Sequence, residues 1–252
     1  MSRPEFKDHF SGHAHDYAAY RPSWPDELFR WLAQRAPGRR LAWDCATGNG
    51  QAAVSLAEYF DRVVATDASP EQLEQAPRHP RVHYRVEPAE CCSLPDSSVD
   101  LVVVAQAFHW FDQAVFLNEA NRVLRPGGLL ALLIYQFATV SEPIDSVVDR
   151  LYRQILDGFW PAEREQVERG FSDLVLPFDE VTTPGFELNV DWNLNQLLNY
   201  LGTWSAVRRY RHSRGEDPIE QIRENLKTAW GSVEVRRRVV WPISLRVCRR
   251  PA

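Results

Sequence analysis

"LAWDCATGNGQAAVSLA", Leu41 to Ala57, carries an apolar run into a glycine-bearing turn and out into a stretch of small, helix-forming residues. In open α/β sheets this strand–turn–helix junction, at the carboxyl end of a strand, is where ligands bind. Read from Gly48, the turn spells G-N-G-Q-A-A and satisfies the dinucleotide pattern G-x-G-x-x-G/A. Read from Asp44, it spells D-C-A-T-G-N-G, a carboxylate followed by small residues at alternate positions. The first reading implies a diphosphate ligand. The second implies a ligand that carries positive charge.

Working outward, the flanking segments alternate between strand and helix patterns. Asp26 opens a helix through Leu28, Trp31 and Leu32, stopped by Pro37-Gly38. Strand Arg40–Asp44, helix Gln51–Phe60, strand Arg62–Asp67 and helix Pro70–Gln75 follow, then strands His83–Val86 and Leu101–Ala105, helix Ala114–Val123 and strand Gly128–Tyr135. Alternation at this pitch means parallel βαβ units. The run "LVVVA" at Leu101–Ala105 is apolar throughout, as a strand covered on both faces should be. Beyond it, Ser146–Phe159, Asn193–Tyr210 and Pro218–Trp230 read as helices, while Phe186–Trp192 and Val233–Val247 read as strands. The expected fold is α/β: a Rossmann-like, doubly wound, mainly parallel seven-stranded sheet with an antiparallel last strand and a helical cap. With no linker or repeat in sight, residues 1–252 are expected to form a single domain. It divides into an N-terminal lid and helix (1–37), a ligand-binding core (38–135), a stretch of helices, sixth strand and cap insertion (136–227), and a last strand (228–252).

Composition narrows the function classes. The chain has 252 residues, 44% hydrophobic and 25% charged, with a formal net charge of −5, an ordinary globular balance that argues against nucleic acid as a partner. The basic clusters Arg208–Arg214 and Arg236–Arg238 read as a solvated helix face and the outer face of an edge strand. The start "MSRPEFKDHFSGHAHDY" lacks an apolar signal region, and no run is long enough to span a membrane. Four cysteines, none in a C-x-x-C pair, predict neither a disulfide framework nor a metal site, and His9, His13 and His15 lack companion ligands. The expectation is a cytoplasmic protein with a small-molecule substrate, no membrane association and no metal, as a monomer or homodimer.

Three features arbitrate between the ligands. Asp44 would repel a diphosphate and attract an ammonium. About forty residues precede the first sheet strand, more than dinucleotide domains usually carry. The last two strands suit an antiparallel pair appended to a parallel sheet. Asp67, closing the next strand, suits a ribose under either reading.

The motifs "LAWDCATGNG", "VVATDAS", "EPAECCSLPDSSVDLVVVAQAFHWFD" and "EANRVLRPGGLLAL" resemble, in this order, those of class I S-adenosylmethionine-dependent methyltransferases of the small-molecule type 11 group. Trans-aconitate methyltransferase and the quinone C-methyltransferases are the members nearest in pattern. The leader "YAAYRPSWP" and the late "YLGTWSAVRRY" resemble a subgroup of the same proteins. The resemblance implies S-adenosylmethionine as cofactor and S-adenosylhomocysteine as product. It puts Asp44, Ala46, Gly48 and Gly50 around the methionine part, Asp67 on the ribose, Ala68 or Ser69 beside the adenine, and Ala89 and Glu90 at its edge. Gln106 falls near the sulfonium, with His109 and Trp110 beside it. His109 is the candidate base, since imidazole titrates near neutrality. Tyr17, Tyr20 and Arg21 would close as a lid, Tyr17 and Arg21 against the cofactor and Tyr20 against the acceptor. Trp204 and Arg208 would also meet the acceptor, a carboxylate or aromatic metabolite. Two positions depart from the pattern: Ala46 replaces its first glycine, and Pro88 replaces a frequent acidic residue. Arg125-Pro126-Gly127-Gly128 reads as a turn without chemistry. The competing functions are a non-catalytic cofactor-binding relative and an NAD-dependent oxidoreductase.

Overall fold

The computed structural model describes residues 23–251. Helix α1 (Asp26–Arg35) precedes the βα alternation: β1 (Leu41–Cys45), α2 (Gln51–Ala57), β2 (Arg62–Asp67), α3 (Pro70–Glu74), β3 (Val82–Val86), β4 (Val99–Ala105), α4 (Gln113–Val123) and β5 (Leu124–Tyr135). Then come α5 (Glu142–Arg150), α6 (Arg164–Glu168), β6 (Asp179–Val181), β7 (Phe186–Trp192), α7 (Leu194–Gly202), α8 (Ser205–Arg214), α9 (Glu220–Trp230) and β8 (Arg237–Arg249). The sheet order is β3-β2-β1-β4-β5-β8-β6, with β7 also on β8. Strands β1 to β5 pair in parallel, and β8 runs antiparallel to β5. Strand β6 pairs with Val247–Arg249 and β7 with Arg237–Ile243, both on the flank of β8 opposite β5. The expected sixth strand, Phe186–Trp192, is β7, and the unexpected short strand β6 lies end to end with it, so eight strands fill seven positions.

Side chains alternating along each strand sort into a core on each face of the sheet. Ala42, Val63, Leu101, Val103 and Ala131 face α1, α2, α5, α7 and α9. Trp43, Val64, Val102, Val104 and Leu130 face α4 and the chain from Val167 to Phe178. Burial on both faces is why β4 shows no polar alternation. All four cysteines are free thiols, three of them buried.

Several boundaries differ from the sequence reading. The helix expected over 193–210 is two. An Asn193–Gln196 capping box starts α7, and the chain turns at Thr203 so that α8 begins after Trp204. The helix expected from Ser146 starts at Glu142, with Pro143 in its first turn where a missing N–H does no harm. After Arg150 it widens into a π-type turn, Leu151–Ile155. Strand β5 begins at Leu124 rather than Gly128, paired with Val99 and rejoining β4 after a bulge. Strand β8 pairs with β5 only from Ile243 onward, and Arg236 and Arg238 at its start are exposed while Arg237 is half-buried. Arg236 donates to the Asp191 carbonyl and Arg237 to that of Trp230, while Arg211 of α8 pairs with Asp217.

The Arg125 turn has a structural duty. Asp100, fully buried in β4, accepts from the Arg40 and Leu41 amides at 2.9 and 3.0 Å. Its other oxygen lies 2.7 Å from an Arg125 guanidinium nitrogen, an ion pair rather than an aligned hydrogen bond. Asp100→Ala strands a cation and two amides, and it is expected to lower the unfolding free energy by about 3–5 kcal/mol. Urea denaturation measures this, and a loss below about 1 kcal/mol would contradict the assigned role.

Candidate functional site

Strands β2, β1 and β4 lie side by side and end together, at the point where the sheet order reverses direction. Such a switch point opens a crevice beyond the carboxyl ends of the strands. Asp44 closes this end of β1, Asp67 ends β2 and Gln106 follows β4. Three of the residues expected at the site thus sit at the ends of three neighbouring strands.

The turn after β1 is built on left-handed backbone. Ala46, Gly48 and Gly50 have φ of 54°, 57° and 83°. For Ala46 this geometry costs about 1–2 kcal/mol, so alanine is tolerated under strain. Thr47 N–H donates to the Thr66 carbonyl at 2.9 Å, and Gly48 N–H donates to Asp67 at 2.8 Å. The second Asp67 oxygen accepts from Ser69 N–H at 2.9 Å. Asp67 thus ties the first turn to the second, and Ser69, not Asp67, caps α3.

Asp44 is the electrostatic centre. It is fully buried; one oxygen accepts the Thr47 hydroxyl and the other, Oδ1, has no hydrogen-bond partner. Burial first, with the neighbouring Asp67 charge adding, pushes its pKa up to about 7. A carboxyl so placed is incomplete until a positive group approaches, which fits an amino-acid ammonium and opposes a diphosphate. A Cβ added at Gly48 would meet nothing closer than the Gln72 side chain at 3.8 Å, so the cradle is open at that point.

Ala68 is half-buried and Ala89 is 8% exposed. Glu90 accepts from Asp112 N–H at 3.0 Å and so helps hold the start of α4. Gln106 has φ of 61°, rare outside glycine, and its Nε2 is buried without a partner. Strain at a crevice residue is characteristic of functional positions. After it, the single turn Phe108–Trp110 holds His109 against Trp110, ring centroids 4.8 Å apart. His109 Nδ1 is also buried and unpartnered. Burial, then the Arg164 charge, lowers the His109 pKa to about 4. This removes the near-neutral titration on which the expectation of a base rested.

Beside this turn stands an aromatic cluster the sequence reading did not single out, apart from Trp204. Tyr152 lies 4.8 Å from Phe137, 4.4 Å from Trp160 and 5.7 Å from Trp204. Trp204 is 7% exposed and forms the back of the cluster, while Arg208 is half-buried one turn further along α8. The pairing of Phe159-Trp160 with a following arginine was the signal available in the sequence. Tyr17, Tyr20, Arg21 and the leader histidines lie outside the described residues.

Comparisons with known proteins show the family to which the chain belongs. The family profile described as "Methyltransferase domain" matches residues 43–132, from β1 to β5. A Dictyostelium discoideum protein provisionally named a methyltransferase is 32% identical over 234 residues, 91% of this chain and 89% of its own. An uncharacterized methyltransferase of Schizosaccharomyces pombe is 34% identical over 221 residues, 84% of this chain and 85% of its own. A solved structure from Anaeromyxobacter dehalogenans, provisionally described as a type II methyltransferase, superposes with a TM-score of 0.88 at 47% identity, covering 92% of this chain and 100% of that one. The chain belongs to the class I S-adenosylmethionine-dependent methyltransferases. The names of these relatives specify no acceptor.

Proposed function

We propose that the chain moves a methyl group from S-adenosylmethionine to a small organic acceptor held between the Asp44–Gly50 turn and the aromatic cluster around Tyr152. Buried Asp44, with its unpartnered oxygen, carries this reading. In it, Asp44 faces the methionine ammonium while Ala46, Gly48 and Gly50 let the backbone close beneath the amino-acid portion. Asp67, at the end of β2, receives the ribose hydroxyls. Ala68 and Ala89 flank the adenine, and Glu90 keeps α4 in register beneath it. Tyr17 and Arg21 close over the cofactor, and Tyr20, Trp110, Trp204 and Arg208 bound the acceptor. S-adenosylmethionine, when bound, supplies an electrophilic methyl carbon on a sulfonium. The protein's own task is then alignment and exclusion of water. His109 is neutral above about pH 4, and in this reading it orients the acceptor rather than deprotonating it.

Calorimetric titration of the purified protein with S-adenosylmethionine, S-adenosylhomocysteine and NAD tests the cofactor. Binding of the sulfonium and thioether pair without NAD is the expected result. The opposite pattern would overturn the assignment.

A further inference from the structure

Arg164 stands out among the cations around the crevice. Helix α6, which begins with it, packs on the Phe108–Trp110 turn. Two further contacts fix that placement: Gln113 Nε2 donates to Gln166 at 2.7 Å, and the Phe108 and Phe171 rings meet edge-on at 5.5 Å. The Arg164 guanidinium carbon lies 5.5 Å from the Tyr152 ring centroid and 5.2 Å from that of Trp160. Its Nε donates to the Tyr152 hydroxyl at 2.9 Å, and that hydroxyl in turn donates to Glu168. Among the described residues its guanidinium has no other hydrogen-bond partner, and no carboxylate, Glu168 included, lies within ion-pair distance. A half-buried guanidinium anchored at one nitrogen and set beside two rings has little freedom to turn away. Its remaining donors have the fork geometry that matches a carboxylate.

We propose that Arg164, on the shelf formed by Tyr152 and Trp160 beside His109, reads the methyl acceptor and selects one with a planar anionic group such as a carboxylate. The inference rests on the methyltransferase reading above and adds the acceptor's chemistry. A second observation agrees with it. Among the described residues the one imidazole at this place, His109, is too weak a base to strip a proton near neutrality, and a carboxylate has none to lose. The acceptor oxygen forms the new O–CH3 bond as the S–CH3 bond breaks, and that electron pair departs on sulfur. One negative and one positive charge vanish together, and no proton moves. The low-dielectric shelf strengthens the attraction of Arg164 for the incoming anion.

The test uses full-length protein saturated with S-adenosylhomocysteine. It is titrated calorimetrically with benzoate, cinnamate and succinate, each against its amide, in the wild type, Arg164→Lys and Arg164→Gln. At least one anion should bind the wild type tenfold or more tightly than its amide. Arg164→Gln should erase that preference, and Arg164→Lys should keep part of it, since an ammonium retains charge but not the fork. Affinity for S-adenosylhomocysteine and the melting temperature should be unchanged in both variants. If the wild type prefers no anion over its amide, or if Arg164→Gln keeps the preference, the proposal falls while the cofactor titration stands. If S-adenosylhomocysteine itself fails to bind the wild type, the methyltransferase reading falls first.

Discussion

Asp44→Asn is expected to make the protein more stable and unable to hold its cofactor. The buried carboxyl titrates near 7 rather than at its ordinary 3.8, so ionising it in the folded state costs roughly 4 kcal/mol at pH 8 by linkage. A group with a raised pKa stabilises fully below its unfolded value, and that contribution is lost as pH climbs through the folded one. The Asp44 penalty therefore grows from about pH 4 to pH 7. Asparagine removes the charge and keeps an acceptor for Thr47, although its amide N–H groups are buried where Oδ1 was unpartnered, at a cost of about 1–3 kcal/mol. The net gain at pH 8 is expected to be about 1–3 kcal/mol by urea denaturation. Affinity for S-adenosylmethionine should fall at least thirtyfold, about 2 kcal/mol, because a buried charge pair is lost. His109 gives the prediction a signature in pH. Its lowered pKa makes stability rise with pH between about 4 and 6.5, opposite in sign to Asp44 over the same window. The two slopes largely cancel in the wild type, and Asp44→Asn should uncover the His109 slope. A variant that is less stable at pH 8, or one that binds the cofactor normally, would refute the role given to Asp44.

The sheet and its crevice were legible in the sequence because both leave periodic or positional marks. Strand β2 and strand β7 fall where the sequence placed them, and Asp44, Asp67 and Gln106 sit at three neighbouring strand ends. What escaped, apart from Trp204, was the aromatic cluster around Tyr152, which is assembled from distant segments. Phe137 follows β5, Tyr152 lies on a π-type turn, Trp160 on a loop and Trp204 between two helices. No local spacing links these four. Arg164 opens a helix of five residues, too short to show a period, so its contact with Tyr152 emerges only from tertiary packing. The electrostatics were hidden for the same reason. A histidine and an aspartate in sequence carry their ordinary pKa values, and only burial reveals that the aspartate moved up and the imidazole down.

The turn's two glycines should fail in different ways when each is replaced by alanine. Both have positive φ, so either substitution carries about 1–2 kcal/mol of backbone strain. At Gly50 the new methyl would lie 2.5 Å from the Tyr84 hydroxyl and 3.1 Å from its ring. Tyr84 cannot simply swing away, because its hydroxyl donates to the Pro77 carbonyl at 3.0 Å. Overpacking adds about 1–3 kcal/mol, so Gly50→Ala should lose about 2–5 kcal/mol in all. Combining it with Tyr84→Ser should return part of that loss, a coupling of about 1–2 kcal/mol in a double-mutant cycle. At Gly48 the space is open, and its N–H bond to Asp67 survives the change. Gly48→Ala should therefore fold, losing only the strain, yet bind S-adenosylhomocysteine at least tenfold more weakly, because its methyl occupies the approach to the methionine portion. Urea denaturation separates the two variants by stability, and calorimetry of Gly48→Ala isolates the binding loss. Equal stabilities would contradict the Tyr84 contact, and wild-type affinity in Gly48→Ala would move the cofactor off this turn.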